Sequence, residues 1–448
     1  MPEQEQVNVQ EKYKTLVDQL SKYGKFSMVA KTVEDAKRLD PRKKAERGIF
    51  LRDDSKKEKR QELKTRLKSW VTLLESAESV TDMKNKAKEE AEKAKALLNK
   101  NIGTALEATS LLEKSYQSLF IFFKNAQVNK IKNLTILNAS MDQLTNPKLP
   151  EFREKIENEL LWSYGKLGKS QNYSLMVVPG CIGNKSVLNE FARMARDNKV
   201  MLLTDFHDLS SHDSILEEFA DSGYADLDKT NIVMTCNWII GRGKDEEADE
   251  MDDLTIPPSM ALAGKLYNPN IQISQPRAGK RYGSLEYAED VRFELLMEHI
   301  GLLDEQGLVP LVKDFNTVMP YSARTLSTAD DVGLQTYSVV RVYDWVGKVV
   351  MDFLNQAGFE NASQQMLDTY RGQVAKFLNS ITGPSKLIKD FRINKFEADT
   401  ANGRPDRILV HIVMDPLFPA KTFALKMDGT SGEGVDNYIW NTDIAQIG

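Results

Sequence analysis

Cysteine and histidine are scarce. Cys181 and Cys236 are the only thiols in 448 residues, and His207, His212, His299 and His411 the only imidazoles. No CxxC occurs, and each cysteine ends or follows a strand-like apolar run. That excludes a disulfide-stapled fold and implies buried free thiols in a reduced compartment. His207 and His212 stand five apart in a loop, poor spacing for a shared metal ion, so no metal is expected. Long apolar runs are missing too: the longest, Ser118–Phe123, is far short of the roughly 20 residues that span a bilayer. The opening MPEQEQ lacks the apolar core of a secretory leader. A net charge of −5 gives no basic field, which argues against nucleic acid as a partner. The expectation is a soluble cytoplasmic protein without direct membrane insertion.

Signatures of catalysis are equally thin. The segment VVPGCIGNKS places Gly180, Gly183, Lys185 and Ser186 where a strand gives way to a helix. A phosphate loop needs four residues between its glycines and lysine directly after the second. Here two residues intervene and Asn184 precedes the lysine, so a tight strand-to-helix turn is expected. The rival reading, a nucleotide-dependent α/β enzyme, rests on this Gly180–Ser186 turn. Ser322 lacks a GxSxG elbow, and the pairs Asp330/Asp331 and Asp205/Asp208 read as turn formers or caps. The acidic run Gly243–Asp253 lacks the spacing of a calcium loop and reads as a solvated segment. Neither a catalytic residue nor a cofactor is expected: the chain does not read as an enzyme.

What is present is patterning, in three regions. Residues 1–147 read as helical. Tyr13, Leu16, Val17 and Leu20 share one helix face; Leu63, Leu67, Trp70, Val71 and Leu74 form a second stripe on a charged helix. Leu111, Leu112, Tyr116, Leu119, Phe122 and Phe123 mark a third helix, expected to pack on the domain that follows. Asn146-Pro147 and Pro150 punctuate the boundary. Residues 148–335 alternate short apolar strands (YSLMVVP, KVMLLTDF, NIVMTCNWII) with helices, the pattern of a central α/β domain with a small parallel or mixed sheet.

Residues 336–448 carry two amphipathic helices and then β-segments. The helix faces are Val346, Val349, Val350, Phe353 and Leu354, then Met366, Tyr370, Val374, Phe377, Leu378 and Ile381. Ile408, Val410, Ile412 and Met414 alternate with Leu409, His411 and Val413, which predicts a strand covered on both faces. Asn402-Gly403 favours a hairpin turn, and the phase slip between Ile393 and Phe396 predicts a β-bulge. Phe423, Leu425 and Met427 read as a third strand, and the Gly/Ser segment Gly429–Gly434 releases a tail with Tyr438, Ile439 and Trp440.

The order of these motifs resembles the contractile tail-sheath family of phages and secretion machines. The segments carrying the likeness are LMVVPG (175–180), LLTDF, IPPSMALAGKLY (256–267), QPRAG (275–279), MPYSARTLS (319–327), YSVVRVYDWVGKVV (337–350) and the closing β-segments. The long helical N-terminus is similar to that of the large sheath subunit of type VI secretion systems (TssC), particularly the branch found in Bacteroidetes. A single-component phage-like sheath, the other reading within this class, lacks such a region.

The resemblance implies a tail-sheath fold and a structural role. The chain would polymerise with a small, TssB-like sheath subunit and with other copies of itself around an Hcp-like inner tube, mounted on a baseplate. It implies inter-chain strand exchange, for which Phe391, Ile393, Phe396, Ile408, Val410, Ile412, Phe423, Leu425, Tyr438, Ile439 and Trp440 are the candidates. It also implies a ClpV-type disassembly ATPase, with Tyr13, Leu16, Val17 and Leu20 as its handle.

Overall fold

The computed structural model describes residues 48–146, 148–166, 168, 172–224, 229–248, 250–268, 270–327, 329–356, 358–423, 427–430, 437–440 and 446–447. Two compact units divide after Glu107, upstream of the Asn146–Pro150 stretch read as a boundary; the first also takes residues 245–250.

In the first unit Asp53 caps a short 3-10 turn, its carboxylate accepting the Ser55 N–H at 2.9 Å, and helix α1 (Lys57–Ser76) follows. Helix α2 (Val80–Asn125) then runs on into the second unit. Its charged stretch carries pairs one turn apart, Asp82–Lys86 and Glu89–Lys93, both at 3.0 Å. Such exposed pairs each add only about 0.3–0.5 kcal/mol. More specific is the contact at Gly103, where a Cβ would lie 2.3 Å from the Ala248 carbonyl oxygen. Ala248 ends a 3-10 turn (Glu246–Ala248) capped by Asp245, which accepts the N–H groups of Glu247 at 3.0 Å and Ala248 at 3.2 Å. Lys95 adds a 3.2 Å ion pair to Glu247. The acidic run is solvated as expected, with residues 243–247 and 251–252 exposed, and only its Ala248 docks on α2.

The second unit takes over where α2 turns apolar. Ile121 and Phe122 are buried there, whereas Leu111, Leu112 and Tyr116 stay exposed, so only the last turns of the expected packing face are covered. After α3 (Met141–Thr145) and α4 (Glu151–Gly165), strand β1 (Leu175–Val178) leads to α5 (Lys185–Asp197), β2 (Met201–Asp205), α6 (His212–Asp221) and β3 (Ile232–Cys236). The predicted strand NIVMTCNWII splits at Asn237. Its φ of 60° breaks the extended run, and its amide ties the break down, donating to Phe293 O at 2.9 Å and Leu311 O at 2.8 Å. The remainder, β4 (Ile239–Arg242), joins β5 (Leu254–Ile256) and, across α7 (Pro258–Leu266) and α8 (Gly279–Gly283), β6 (Asp290–Val291) in a small antiparallel sheet.

Helix α9 (Met297–Glu305), β7 (Leu308–Asp314) and β8 (Thr317–Pro320) complete the main sheet, ordered β1-β2-β3-β7-β8, parallel except for β8. It is mixed, with both faces covered. Leu202 packs with Val187, Leu188 and Phe191 of α5, while Met201 and Leu203 pack with Ile121, Phe122 and the apolar side of α7. That two-sided cover is why these strands are continuous apolar runs.

Helices α10 (Tyr337–Asn355) and α11 (Gln364–Ile381) pack their apolar faces together as the periodicity predicts, with Trp345 against Phe377 and Phe353 against Tyr370. Strands β9 (Ile388–Asp399) and β10 (Arg404–Pro416) form an antiparallel hairpin, turned by Gly403 at φ 67°. Ile393 pairs with Ile412 and Lys395 with His411, so Asn394 is the bulged residue of the expected phase slip. The expected third strand does not join this hairpin: β11 (Thr422–Phe423) pairs with β14 (Gln446–Ile447), and β12 (Met427–Thr430) with β13 (Asn437–Trp440). Leu425 lies outside the described residues. The stretch read as a free tail, Tyr438–Trp440, is thus held in a short hairpin with its own chain.

Candidate assembly site

The motif fragments converge on Asp205, a buried carboxylate with four donors. Gly180 N–H of the VPG turn reaches Oδ2 at 2.8 Å; Ser259 of the PPS segment gives its N–H to Oδ1 at 2.8 Å and its hydroxyl to Oδ2 at 2.5 Å; Thr235 gives its hydroxyl to Oδ1. Burial raises the Asp205 pKa, against the lowering effect of these bonds. The Gly180 N–H that a phosphate would need is already engaged inward. Asn184 caps α5, accepting from Ser186 and Val187 N–H at 3.0 and 3.2 Å. Gly180 and Gly183, at φ 97° and 62°, supply the left-handed conformations of the turn. The segment is built as a strand-to-helix turn.

Arg277 of the QPRAG segment is 1% exposed and fans its guanidinium onto the carbonyls of Lys265, Asn268, Ile271, Gln272 and Gln275, while its N–H donates to the Tyr337 hydroxyl at 2.8 Å. It thereby locks the end of α7 to the start of α10. Gly264 lets α2 approach α7, since a Cβ there would lie 2.4 Å from the Phe122 carbonyl oxygen. Ser322 donates to Asp304 at 2.5 Å, and Arg324 holds the same carboxylate at 3.0 Å. Asp331 accepts the Gly333 N–H at 2.7 Å, as a turn former does. Each serves architecture.

Burial pushes the Cys181 thiol up to about 12 and raises Cys236 further, so neither ionises readily. The sequence gives no sign that His212 stacks on His299, ring centroids 3.6 Å apart, because the two lie on different helices. Among the described residues no group of three His, Cys, Asp or Glu side chains could hold a metal ion, and no helix is long and apolar enough to cross a membrane.

The β9–β10 hairpin gathers most of the exchange candidates. Phe391, Ile393, Phe396, Ile408, Val410 and Ile412, with Met414, turn one face onto α10 and α11. The opposite face is not covered as expected: Leu409 and Val413 are half-buried, and His411, Arg392, Lys395 and Glu397 are exposed. The bulge puts Ile393 and Phe396 on the same face, so alternation survives on the inner side only. Apart from an isolated bridge between Thr382 and Ile388 at the start of β9, these two strands pair only with each other, so among the described residues the outer edge of each has no partner strand. One edge carbonyl, of Met414, takes the Tyr343 hydroxyl at 2.5 Å. Phe423 and Tyr438–Trp440 stand on two separate two-stranded sheets. Tyr13, Leu16, Val17 and Leu20 lie outside the described residues.

Two apolar stripes remain unpartnered among the described residues. Leu63, Leu67, Trp70 and Val71 of α1 are 48, 56, 60 and 40% exposed; in the second unit Leu111, Leu112 and Tyr116 of α2 are 80, 72 and 62% exposed. The α2 stripe continues through Phe120, stacked on Tyr116 and edge-on to Tyr287. Patterning finds such stripes but does not say whether the chain itself covers them.

Three family descriptions match the chain: the central domain of type VI secretion system TssC/VipB over residues 104–328, a TssC/VipB-like C-terminal domain over 336–446, and a TssC/VipB-like N-terminal region over 13–102. No curated protein matches. Among solved structures, a chain from the anti-feeding prophage baseplate is similar over 70% of this chain and 80% of its own, at 13% identity and TM-score 0.46. A chain of the contracted PVC sheath complex, an extracellular contractile injection system, is similar over 58% and 71%, at 16% identity and TM-score 0.44. A sheath tail protein from Desulfitobacterium hafniense is similar over 52% and 53%, at 13% identity and TM-score 0.34.

Proposed function

The chain belongs to the TssC/VipB family of type VI secretion systems, and from that premise we propose that it is the large subunit of a contractile sheath. In this reading it acts in the cytoplasm and carries out no bond chemistry. It polymerises with a small, TssB-like subunit around an Hcp-like tube, on a baseplate, and is dismantled by a ClpV-type ATPase.

The observation that carries the proposal is the β9–β10 hairpin. Its strands are 12 and 13 residues long, anchored by one apolar face, and among the described residues neither outer edge carries a partner strand, the Thr382–Ile388 bridge at the start of β9 aside. Long bare edges are an aggregation hazard that proteins keep short or blunted unless another strand is meant to add. Each inter-chain backbone hydrogen bond contributes about 0.5–1.5 kcal/mol net. A few per subunit suffice when every subunit in a polymer makes them. The exposed α1 and α2 stripes are the surfaces proposed for the small subunit.

Co-expression with a candidate small subunit, followed by negative-stain microscopy, tests this. Hollow tubes are expected from the full chain and none from a chain lacking residues 429–448. Dispersed particles from the full chain count against the sheath, and normal tubes from the truncation remove the tail from the joint.

A further inference from the structure

A cleft of about 360 Å³ opens where α10 crosses the leading ends of β1 and β2, lined among others by Asn172, Tyr173, Lys199, Arg341, Asp344 and Lys348. Arg341 is its unusual member. The residue is 8% exposed, its Nη2 makes one 3.3 Å bond to the Leu266 carbonyl, and its Nη1 has no acceptor among the described residues. Burial lowers its pKa to about 10, the neighbouring Arg277 charge adds to that effect, and Tyr337 opposes it. Arginine is seldom buried without a paired anion, because desolvating an uncompensated charge is costly.

No side chain in the cleft supplies that anion to Arg341. Asp344 accepts the Asn231 amide at 2.7 Å, and burial raises its own pKa, which weakens it as a counter-charge. Lys348 donates to Asn172 Oδ1 at 2.8 Å and to the Tyr173 carbonyl at 2.9 Å, leaving the buried Asn172 Nδ2 without an acceptor among the described residues. Lys199 is exposed and holds a φ of 54°. Among the described residues two buried donors without acceptors therefore share one cleft with two lysines and the carboxyl groups of Asp344 and Asp352. A bare cation brings those donors no acceptor, and an apolar group leaves them unpaired. An oxyanion answers both demands.

We propose that this cleft binds an oxyanion, a carboxylate or phosphate, held by Arg341, Lys199 and Lys348 with the Asn172 amide. The group is either free in solution or the acidic side chain of a second copy of this chain. The second source rests on the sheath reading, whereas the first does not.

Calorimetric titration of the full chain with inorganic phosphate tests the free form. Saturable binding is expected, weakened on the order of tenfold or more by Lys199→Gln, a surface change that leaves the fold intact, and restored by Lys199→Arg. The neighbour's form is tested by Lys199→Glu in the co-expressed polymer. It predicts a loss of tubes with unchanged circular dichroism, and inhibition of tube formation by phosphate. Absence of saturable phosphate binding, together with tubes indifferent to Lys199→Glu and to phosphate, overturns the proposal. If the wild-type chain forms no tubes, the titration alone decides, and absence of saturable binding overturns the site. Binding equal in wild type and Lys199→Gln overturns it as well.

Discussion

Gly103 and Ala248 meet backbone to backbone: a Cβ added at Gly103 would sit 2.3 Å from the Ala248 carbonyl oxygen. In an exposed helix, replacing glycine with alanine stabilises by about 1 kcal/mol. Here the same change must push the acidic turn away. Gly103→Ala is expected to speed amide exchange and proteolysis across Asp245–Glu250, with no gain in melting temperature. A stabilised variant with an equally protected turn would show that the contact is not tight.

Asp205 ties the VPG turn, β3 and the start of α7 through four donors. Asp205→Ala strands those donors in a dry interior, each costing about 1–3 kcal/mol. The expected result is a loss of several kcal/mol in urea unfolding, or failure to fold. A variant of wild-type stability would refute the role of Asp205 as the hub.

Asp344 gives a pH test. Burial holds its native pKa above the ordinary carboxylate value, despite the lowering effects of Asn231, Lys199 and Lys348. The native state therefore keeps this proton to higher pH than the unfolded chain does. The stability this provides is complete below the unfolded value and is lost as pH rises through the native one. Asp344→Asn, which cannot ionise, should gain on wild type as pH rises from about 4 toward neutrality. Urea midpoints across that range check it, and a constant or reversed difference would contradict the sign.

Leu112 is 72% exposed, so its chain gains little from it. Leu112→Asp is expected to change unfolding stability by less than about 0.5 kcal/mol. Co-purification of the small subunit should nevertheless fall sharply. Retained partner binding would place that interface elsewhere.

Local patterns were legible where neighbours in sequence decide them. The paired faces of α10 and α11, the bulge at Asn394 and the Gly403 turn all follow from spacing within a few residues. Features that depend on distant partners were not. Asp205 finds Gly180 and Ser259, 25 and 54 residues away, and nothing near it in sequence distinguishes a hub from a metal carboxylate. The acidic run is solvated as its charge implies, but nothing in that charge marks the one alanine that fits against one glycine. Leu409 and Val413 read as covered because alternation reports side-chain type, not whether a layer lies above. The split at Asn237 needed its amide's two carbonyl partners.

The most direct test is a helical reconstruction of the assembled polymer by electron cryo-microscopy, at a resolution that traces strands. At least one outer edge of the β9–β10 hairpin should carry a strand from another chain, in continuous backbone hydrogen bonding. A polymer in which both edges stay bare, or pair only with segments of the same chain, would contradict the account.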